Sequence, residues 1–227
     1  MKKPVVDYRN FRLSKINEPE YRHLWLLLGW VGYFLAYFLT EHLIPLEICH
    51  LIHSRLDDMI PFREEFVIFY VYWYFLVFGT LLYFILYNVE SYSRVSIYII
   101  VTQVVATIVY IVYPNVQDLR PAVFPRQNVF TWMMGIIYSA DTPSGVCPSL
   151  HAAYSFGILS AWLKEKEATP LFKGFIAVSV ILICLSILFV KQHSAVDIAA
   201  AVPVGILAEV IAYGSWWKKR LKERKNR

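Results

Sequence analysis

The sequence predicts an all-α polytopic membrane protein, a six-transmembrane-helix bundle with short interfacial helices on its outer face. Three observations carry that prediction. Hydrophobic residues are 58% of the chain and charged residues 17%, against roughly 45–50% and about 25% in soluble domains. The mean hydropathy is +0.48. Windows of 17–24 residues without Asp, Glu, Lys or Arg recur along the 227 residues, and about 20 apolar residues suffice to cross the ~30 Å hydrocarbon core as a helix. Aromatic residues at 17% exclude a disordered chain, and 9 Gly with 11 Pro exclude a collagen-like one. Cys49, Cys147 and Cys184 fall in no CxxC or CxxH arrangement, so neither a disulfide framework nor a common zinc module is expected.

The spans follow in chain order. His23–Thr40 predicts a helix over 24–42, Phe66–Val89 one over 66–88, and Val95–Gln117 one over 95–113. Thr142–Leu163 predicts a helix over 149–164, its window opening on the loop residues Thr142–Gly145. Gly174–Val190 predicts one over 171–190, and Ile198–Trp217, interrupted only by Glu209, one over 195–215. These runs are too long and too continuous for the ten-residue alternations of a β-barrel. Of the 22 basic residues, 17 fall before the first span, in the second and fourth loops, or in the tail after Trp217. The positive-inside rule therefore puts both termini in the cytoplasm of a multi-pass cell-membrane protein. Residues 1–227 read as one membrane-embedded domain with a cytoplasmic segment at 1–23 and a basic cytoplasmic tail at 216–227. No cleavable signal is evident, and the first helix would serve as an uncleaved one. Charge flanking a membrane span accounts for the basic tail, and no nucleic-acid partner is expected.

Two outer segments are longer than turns. In 45–65, Ile48, Leu51, Ile52, Leu56 and Met59 recur at helical spacing and predict a helix lying at the interface. Residues 114–148 are broken by Pro114, Pro121, Pro125 and Pro143 around an apolar stretch, Val129–Ala140, too short to span.

Three polar clusters fall at one membrane depth on the outer side. They are Arg120-Pro121 with Arg126, then Pro148-Ser149-Leu150-His151, then Lys191-Gln192-His193 with Asp197. Two histidines can divide the work of attack on phosphorus, one as nucleophile and one as general acid. A carboxylate four residues from His193 shares its helix face and can hold one ring nitrogen. Arg and Lys can neutralise phosphate oxygens, and the amides opening a helix at Pro148-Ser149 can bind an anion. Each piece also has a plain structural reading. Ser194-x-x-Asp197 can cap the last helix, Pro148-Ser149 can simply start one, and Arg120 and Lys191 can be solvated flanking charges. The joint occurrence of all three clusters favours chemistry. Glu209, 12 residues beyond Asp197 and about 18 Å along a helix, is too far to take part and is expected to be paired.

These residues carry a resemblance. The chain resembles the type 2 phosphatidic acid phosphatase superfamily, whose pattern is Lys-x6-Arg-Pro, Pro-Ser-Gly-His and Ser-Arg-x5-His-x3-Asp. Arg120-Pro121, Pro148-Ser149-x-His151 and His193-x3-Asp197 match it, while Tyr113, Leu150 and Ile187 replace its Lys, Gly and Arg. Pro-Ser-Leu-His is more similar to the branch containing inositol phosphorylceramide synthase. The resemblance implies a lipid phosphatase acting on a phosphomonoester or diphosphate headgroup through a phosphohistidine, or alternatively a phosphotransferase passing a phospho-headgroup to an alcohol. It implies His193 as nucleophile, Asp197 as its orienting carboxylate, and His151 as acid and then base. Arg120, Ser149 and Lys191 would bind phosphate, Lys191 standing in for the missing Arg, and Arg126 would supply the charge lost at Tyr113. A phosphorylated lipid or polyprenyl substrate at the outer leaflet is implied, with no cofactor and no metal. Competing classes are a metal-dependent hydrolase ligated by His151, His193 and Asp197, a serine protease using Ser144 or Ser149, and a non-catalytic transporter or scaffold. The oligomeric state is open.

Overall fold

The computed structural model describes residues 3–225. Part of the basic tail lies outside the described residues, namely Asn226, Arg227 and the side chains of Arg220, Leu221, Glu223, Arg224 and Lys225, as do Met1 and Lys2. The chain is helical apart from two two-residue strands. Its order is α1 (Leu28–Leu43), β1 (His50–Leu51), α2 (Arg55–Met59), α3 (Val67–Tyr87), α4 (Val89–Val112), β2 (Asn115–Val116), α5 (Val129–Ala140), α6 (Leu150–Lys164), α7 (Pro170–Phe189) and α8 (Ala195–Lys225). Among the described residues, five helical segments are long and apolar enough to cross a membrane: Arg22–Leu43, Glu64–Tyr87, Val89–Val112, Pro170–Phe189 and Ala195–Lys219. The protein is a membrane-embedded helical bundle.

Burial supports the same conclusion. Val31, Phe34 and Phe38 on α1, Phe75 and Phe78 on α3, and Ile206 and Val210 on α8 are exposed, whereas Thr80, Ser96, Thr102, Gln103, Ser155 and Ser179 are buried. Large apolar side chains outside and hydroxyls inside is the distribution a hydrocarbon solvent imposes, because polar groups must find partners within the bundle. The buried Trp162 indole, for example, donates to Thr80 Oγ1 at 3.0 Å. α4 and α6 lie centrally, packing on each other and on α3 and α8. Their approach needs small residues: a Cβ on Gly157 of α6 would collide with the Tyr98 ring, and one on Gly205 of α8 would sit 2.6 Å from the Tyr98 hydroxyl.

Element ends follow local chemistry. Asn88 caps α4 by accepting from the Ser91 N–H, so this helix starts at Val89 and not at the predicted 95. Glu90 and Arg94 pair at 2.8 Å inside its first turns, which lets the charges join the helix. Thr169 caps α7 with Pro170 in the first turn. α8 continues past the predicted 215 into the Lys/Arg-rich tail, whose residues favour helix. Glu209 is paired as expected, 2.7 Å from Lys164 and bonded by Ser160 and Trp217. α5 has the predicted bounds, opened by an Asn128–Thr131 capping box.

The interfacial helix predicted over 45–65 is not formed. Pro45 and Pro61 bracket the segment, β1 pairs in parallel with β2 (His50 opposite Asn115), and only α2 is helical besides short 3-10 turns. Ile48, Leu51, Leu56 and Met59, which suggested one helix face, are exposed on separate pieces.

Candidate active site

Three loops meet at the end of the bundle where α6 and α8 begin. Buried Asn115, just after α4, staples two of them: its Oδ1 accepts from the Val146 and Cys147 N–H groups, and its Nδ2 donates to the Tyr113 and Cys147 carbonyls. The staple delivers Ser149 to the start of α6, where its Oγ accepts from Ala152 N–H. His151 follows on the first turn. The other half comes from the end of α7. Lys191 N–H bonds to Leu188 O and Gln192 N–H to Ile187 O, a Schellman closure with Lys191 in the left-handed region at φ 56°. That turn reverses the chain and directs Gln192 and His193 inward.

The structure brings His151, His193 and Asp197 into one relay. His193 Nδ1 lies 3.0 Å from Asp197 Oδ2, and His193 Nε2 lies 3.3 Å from His151 Nδ1. Asp197 is fully buried and His193 is 7% exposed. A carboxylate at Nδ1 favours the tautomer with its proton there, leaving the Nε2 lone pair free. The His151 ring is clamped between Trp73 (centroids 4.3 Å apart) and Tyr70 (4.8 Å). Cys147 borders the relay; burial and the Asp197 carboxylate push its thiol up to about 12. All three cysteines are free.

Capping and relay coexist. Asp197 Oδ2 also accepts from Ser194 N–H, so the same carboxylate caps α8 and holds the His193 ring. His193 sits between the other two members, so the three do not face one point as metal ligands would. Among the described residues, no group of three His, Cys, Asp or Glu forms such a set. Ser144 Oγ pairs with Thr142 Oγ1, and Ser149 Oγ is spent on its cap.

The expected phosphate-binding residues are placed differently from one another. Arg120 reaches the site's edge but spends four N–H groups, on the Tyr138, Asp141 and Thr142 carbonyls and on Gln192 Oε1 at 2.5 Å. Its Nε is buried without a partner. Ser149 is fully buried and its N–H donates to Asp197 O. Two of the expected residues are engaged elsewhere in this structure. Lys191 turns its Nζ away, donating to Asp57 O at 2.7 Å, because the left-handed turn that aims His193 inward sends its neighbour toward α2. Arg126 makes a two-pronged pair with buried Glu64, at 2.6 and 2.8 Å, the nearest unpaired carboxylate outcompeting a distant site. Tyr113 stacks on His50, ring centroids 4.1 Å apart.

Asp57, Gln192 and Asp141 organise the site. Asp57 of α2 accepts from Ser194 Oγ and Ala195 N–H, closing the first turn of α8. Gln192 donates from Nε2 to Asp141 Oδ2 at 3.1 Å. Asp141 also receives Tyr37 OH at 2.9 Å and, more weakly, Tyr70 OH at 3.4 Å. Burial pushes the Asp141 carboxyl above the usual range. A serine hydroxyl and a loop aspartate separated by more than a hundred residues leave no periodic signal, so no pattern could have paired them.

A cavity of about 410 Å³ starts at His151, His193, Gln192 and Asp141 and runs between α1 and α3. Phe34, Tyr74 and Phe78 line it and are also exposed on the bundle surface, so its far end reaches the lipid-facing side. No lysine or arginine lines it.

Fold and site together define a helical membrane protein with a buried His–His–Asp relay at one end of a laterally open cavity. None of the protein-family models, curated proteins or solved structures compared with the chain matches it.

Proposed function

We propose that this chain is an integral-membrane enzyme of phosphorylated lipids, forming a phosphohistidine on His193 and resolving it with water, as a lipid phosphatase, or with an alcohol, as a lipid phosphotransferase. The observation that carries the reading is the relay itself: Asp197 on one nitrogen of His193 and His151 facing the other, at the head of a cavity wide enough for a lipid headgroup. The Nε2 lone pair attacks phosphorus and the P–O bond to the lipid alcohol breaks. Its electrons stay on the leaving oxygen, which takes a proton from His151. Asp197 stabilises the charged His193 ring. In the second half, water or an alcohol attacks phosphorus and gives its proton to His151, and the N–P electrons return to Nε2. Arg120 acts through Gln192 and the 138–142 loop, as a positioning residue.

One observation favours transfer from a phosphodiester. A phosphomonoester carries up to two negative charges near neutral pH, and the cavity offers no lysine or arginine to meet them. A diester carries one.

The membrane arrangement we propose has six spans, with α6 as the sixth, both termini cytoplasmic and the site on the outer face. α6 is 15 residues, about 22 Å at 1.5 Å per residue, and is sheathed by its neighbours. The Lys164–Glu209 pair ties α6 to α8 at the end opposite the relay, as parallel spans would require. The asymmetry of basic residues supports the orientation.

The test is to trap a phosphoenzyme from phosphorus-labelled lipid and map it. Label on His193 is expected. Label elsewhere, or none from any phospholipid or polyprenyl diphosphate, would sink the reading. Product analysis with and without inositol or diacylglycerol separates transfer from hydrolysis.

A further inference from the structure

The cavity head has an unusual chemistry for a phosphate enzyme. Its carboxylate is Asp141, partly buried and held toward the cavity by Tyr37, Tyr70 and Gln192. Glu41 stands behind it: the single Tyr37 hydroxyl proton is shared between Glu41 at 2.6 Å and Asp141 at 2.9 Å, and Glu41 also accepts from Thr142 Oγ1 at 2.6 Å. The nearest basic group, Arg120, meets the Asp141 backbone carbonyl, not the carboxylate. Aromatic rings make up much of the rest of the wall, with Tyr33, Tyr37, Tyr70, Trp73 and Tyr74 lining the cavity beside aliphatic residues such as Ile136 and Leu150. Aromatic faces attract cations and offer nothing to a bare anion. A desolvated carboxylate without a charged partner is costly and gains most from an organic cation. The two features point the same way and lie beside His193, where the phosphate would sit.

We propose that the cavity selects a lipid whose phosphate carries an ammonium headgroup, quaternary or primary, held by Asp141 and the rings of Tyr37, Tyr70 and Tyr74. This rests on the reading of the site as a lipid phosphoryl enzyme. In the resulting reaction the phosphorus leaves the lipid alcohol for His193 still bearing its ammonium alcohol, and that phospho-headgroup passes to water or to an acceptor hydroxyl.

Binding tests the proposal separately from turnover. The full chain with His193→Ala, in a non-ionic maltoside detergent, is titrated with diheptanoyl phosphatidylcholine, phosphatidic acid and phosphatidylglycerol, and the fluorescence of the cavity residues Trp30 and Trp73 is followed. The choline lipid is expected to bind about tenfold more tightly than either anionic lipid, a ratio within reach of desolvated cation–aromatic contacts. Asp141→Asn in the same background is expected to abolish that ratio while anionic lipids bind as well or better, which a misfolded protein would not do. Equal or tighter binding of the anionic lipids to the parent, no binding of any lipid, or a ratio unmoved by Asp141→Asn would overturn the proposal. Failure to label His193 in the otherwise unaltered chain, with the headgroup ratio intact, would instead count against the phosphohistidine.

Discussion

The carboxylate of Asp57 accepts a 2.6 Å hydrogen bond from Ser194 Oγ, across 137 residues of sequence. A second bond, from Ala195 N–H at 2.8 Å, reaches its other oxygen. The segment between α1 and α3 thus supplies the cap of the helix that carries Asp197, and the residue it grips is the immediate neighbour of His193.

Asp57→Ala should therefore lower stability by about 1–3 kcal/mol, the cost of stranding buried donors, read as thermal unfolding in detergent. Burial pushes the Asp57 carboxyl up, but hydrogen bonds from Ser194, Ala195 and Ser54 outweigh it and hold the group below its ordinary value. Lys191, whose Nζ bonds the Asp57 carbonyl, is the cation facing it. A depressed carboxyl contributes stability that is present above the unfolded value and lost as pH falls through the folded one. The parent should lose stability on acidification below about pH 4, and Asp57→Asn should lose less over the same range.

His151→Gln should slow phosphoenzyme formation from an alkyl phospholipid by about 10²–10⁴-fold, the usual worth of a general acid. With a substrate whose leaving group is a nitrophenolate, which needs no proton, most of that loss should disappear. His193→Ala should abolish labelling with both substrates. Rapid-quench labelling distinguishes the two variants.

Lys191 occupies a left-handed turn that costs a non-glycine residue about 1–2 kcal/mol. Lys191→Ala and Lys191→Gly both lose the bond to Asp57, but the glycine variant should be the more stable of the two by about 1 kcal/mol. Both should still form the phosphoenzyme. A large rise in KM shared by the two variants would restore a phosphate-binding role.

Arg126→Ala leaves the buried Glu64 carboxylate without its two charged bonds and should destabilise the bundle by about 1–3 kcal/mol, discounted for the half-exposed guanidinium. Adding Glu64→Gln should recover much of that loss. Lipid turnover at a temperature where both proteins are folded should be unchanged.

Gly205→Ala places its Cβ against the Tyr98 hydroxyl, and Gly157→Ala against the ring carbons. Each should cost about 1–3 kcal/mol through overpacking. Tyr98→Phe should relieve the first and leave the second, so thermal unfolding of the double variants separates the two contacts.

Much of this protein was legible in its sequence because the relevant signals are local. A hydrocarbon solvent requires long uncharged helical runs, so the five long apolar helices were recognisable from charge-free windows within a few residues of their ends, except where Asn88 started α4 early and where α8 runs on to Lys225. His193 and Asp197 are four apart across the start of α8, and the capping turn sets them side by side. The cap at Ser149 and the pairing of Glu209 followed from equally short-range rules. The sequence could not assign partners across distance. Helical spacing in 45–65 suggested one helix, where proline brackets and a strand pairing to Asn115 built a strap. Arg126 and Lys191 looked free to bind phosphate, yet each found a nearer oxygen, at Glu64 and Asp57. Only the tertiary structure decided which charges are already paired, that His151 meets His193, and that Asp141 and a wall of tyrosines, not a basic cluster, face the relay. The physical reason is that local conformation depends on neighbours in the chain, whereas hydrogen bonds and ion pairs form between whichever groups the packed helices bring within about 3 Å.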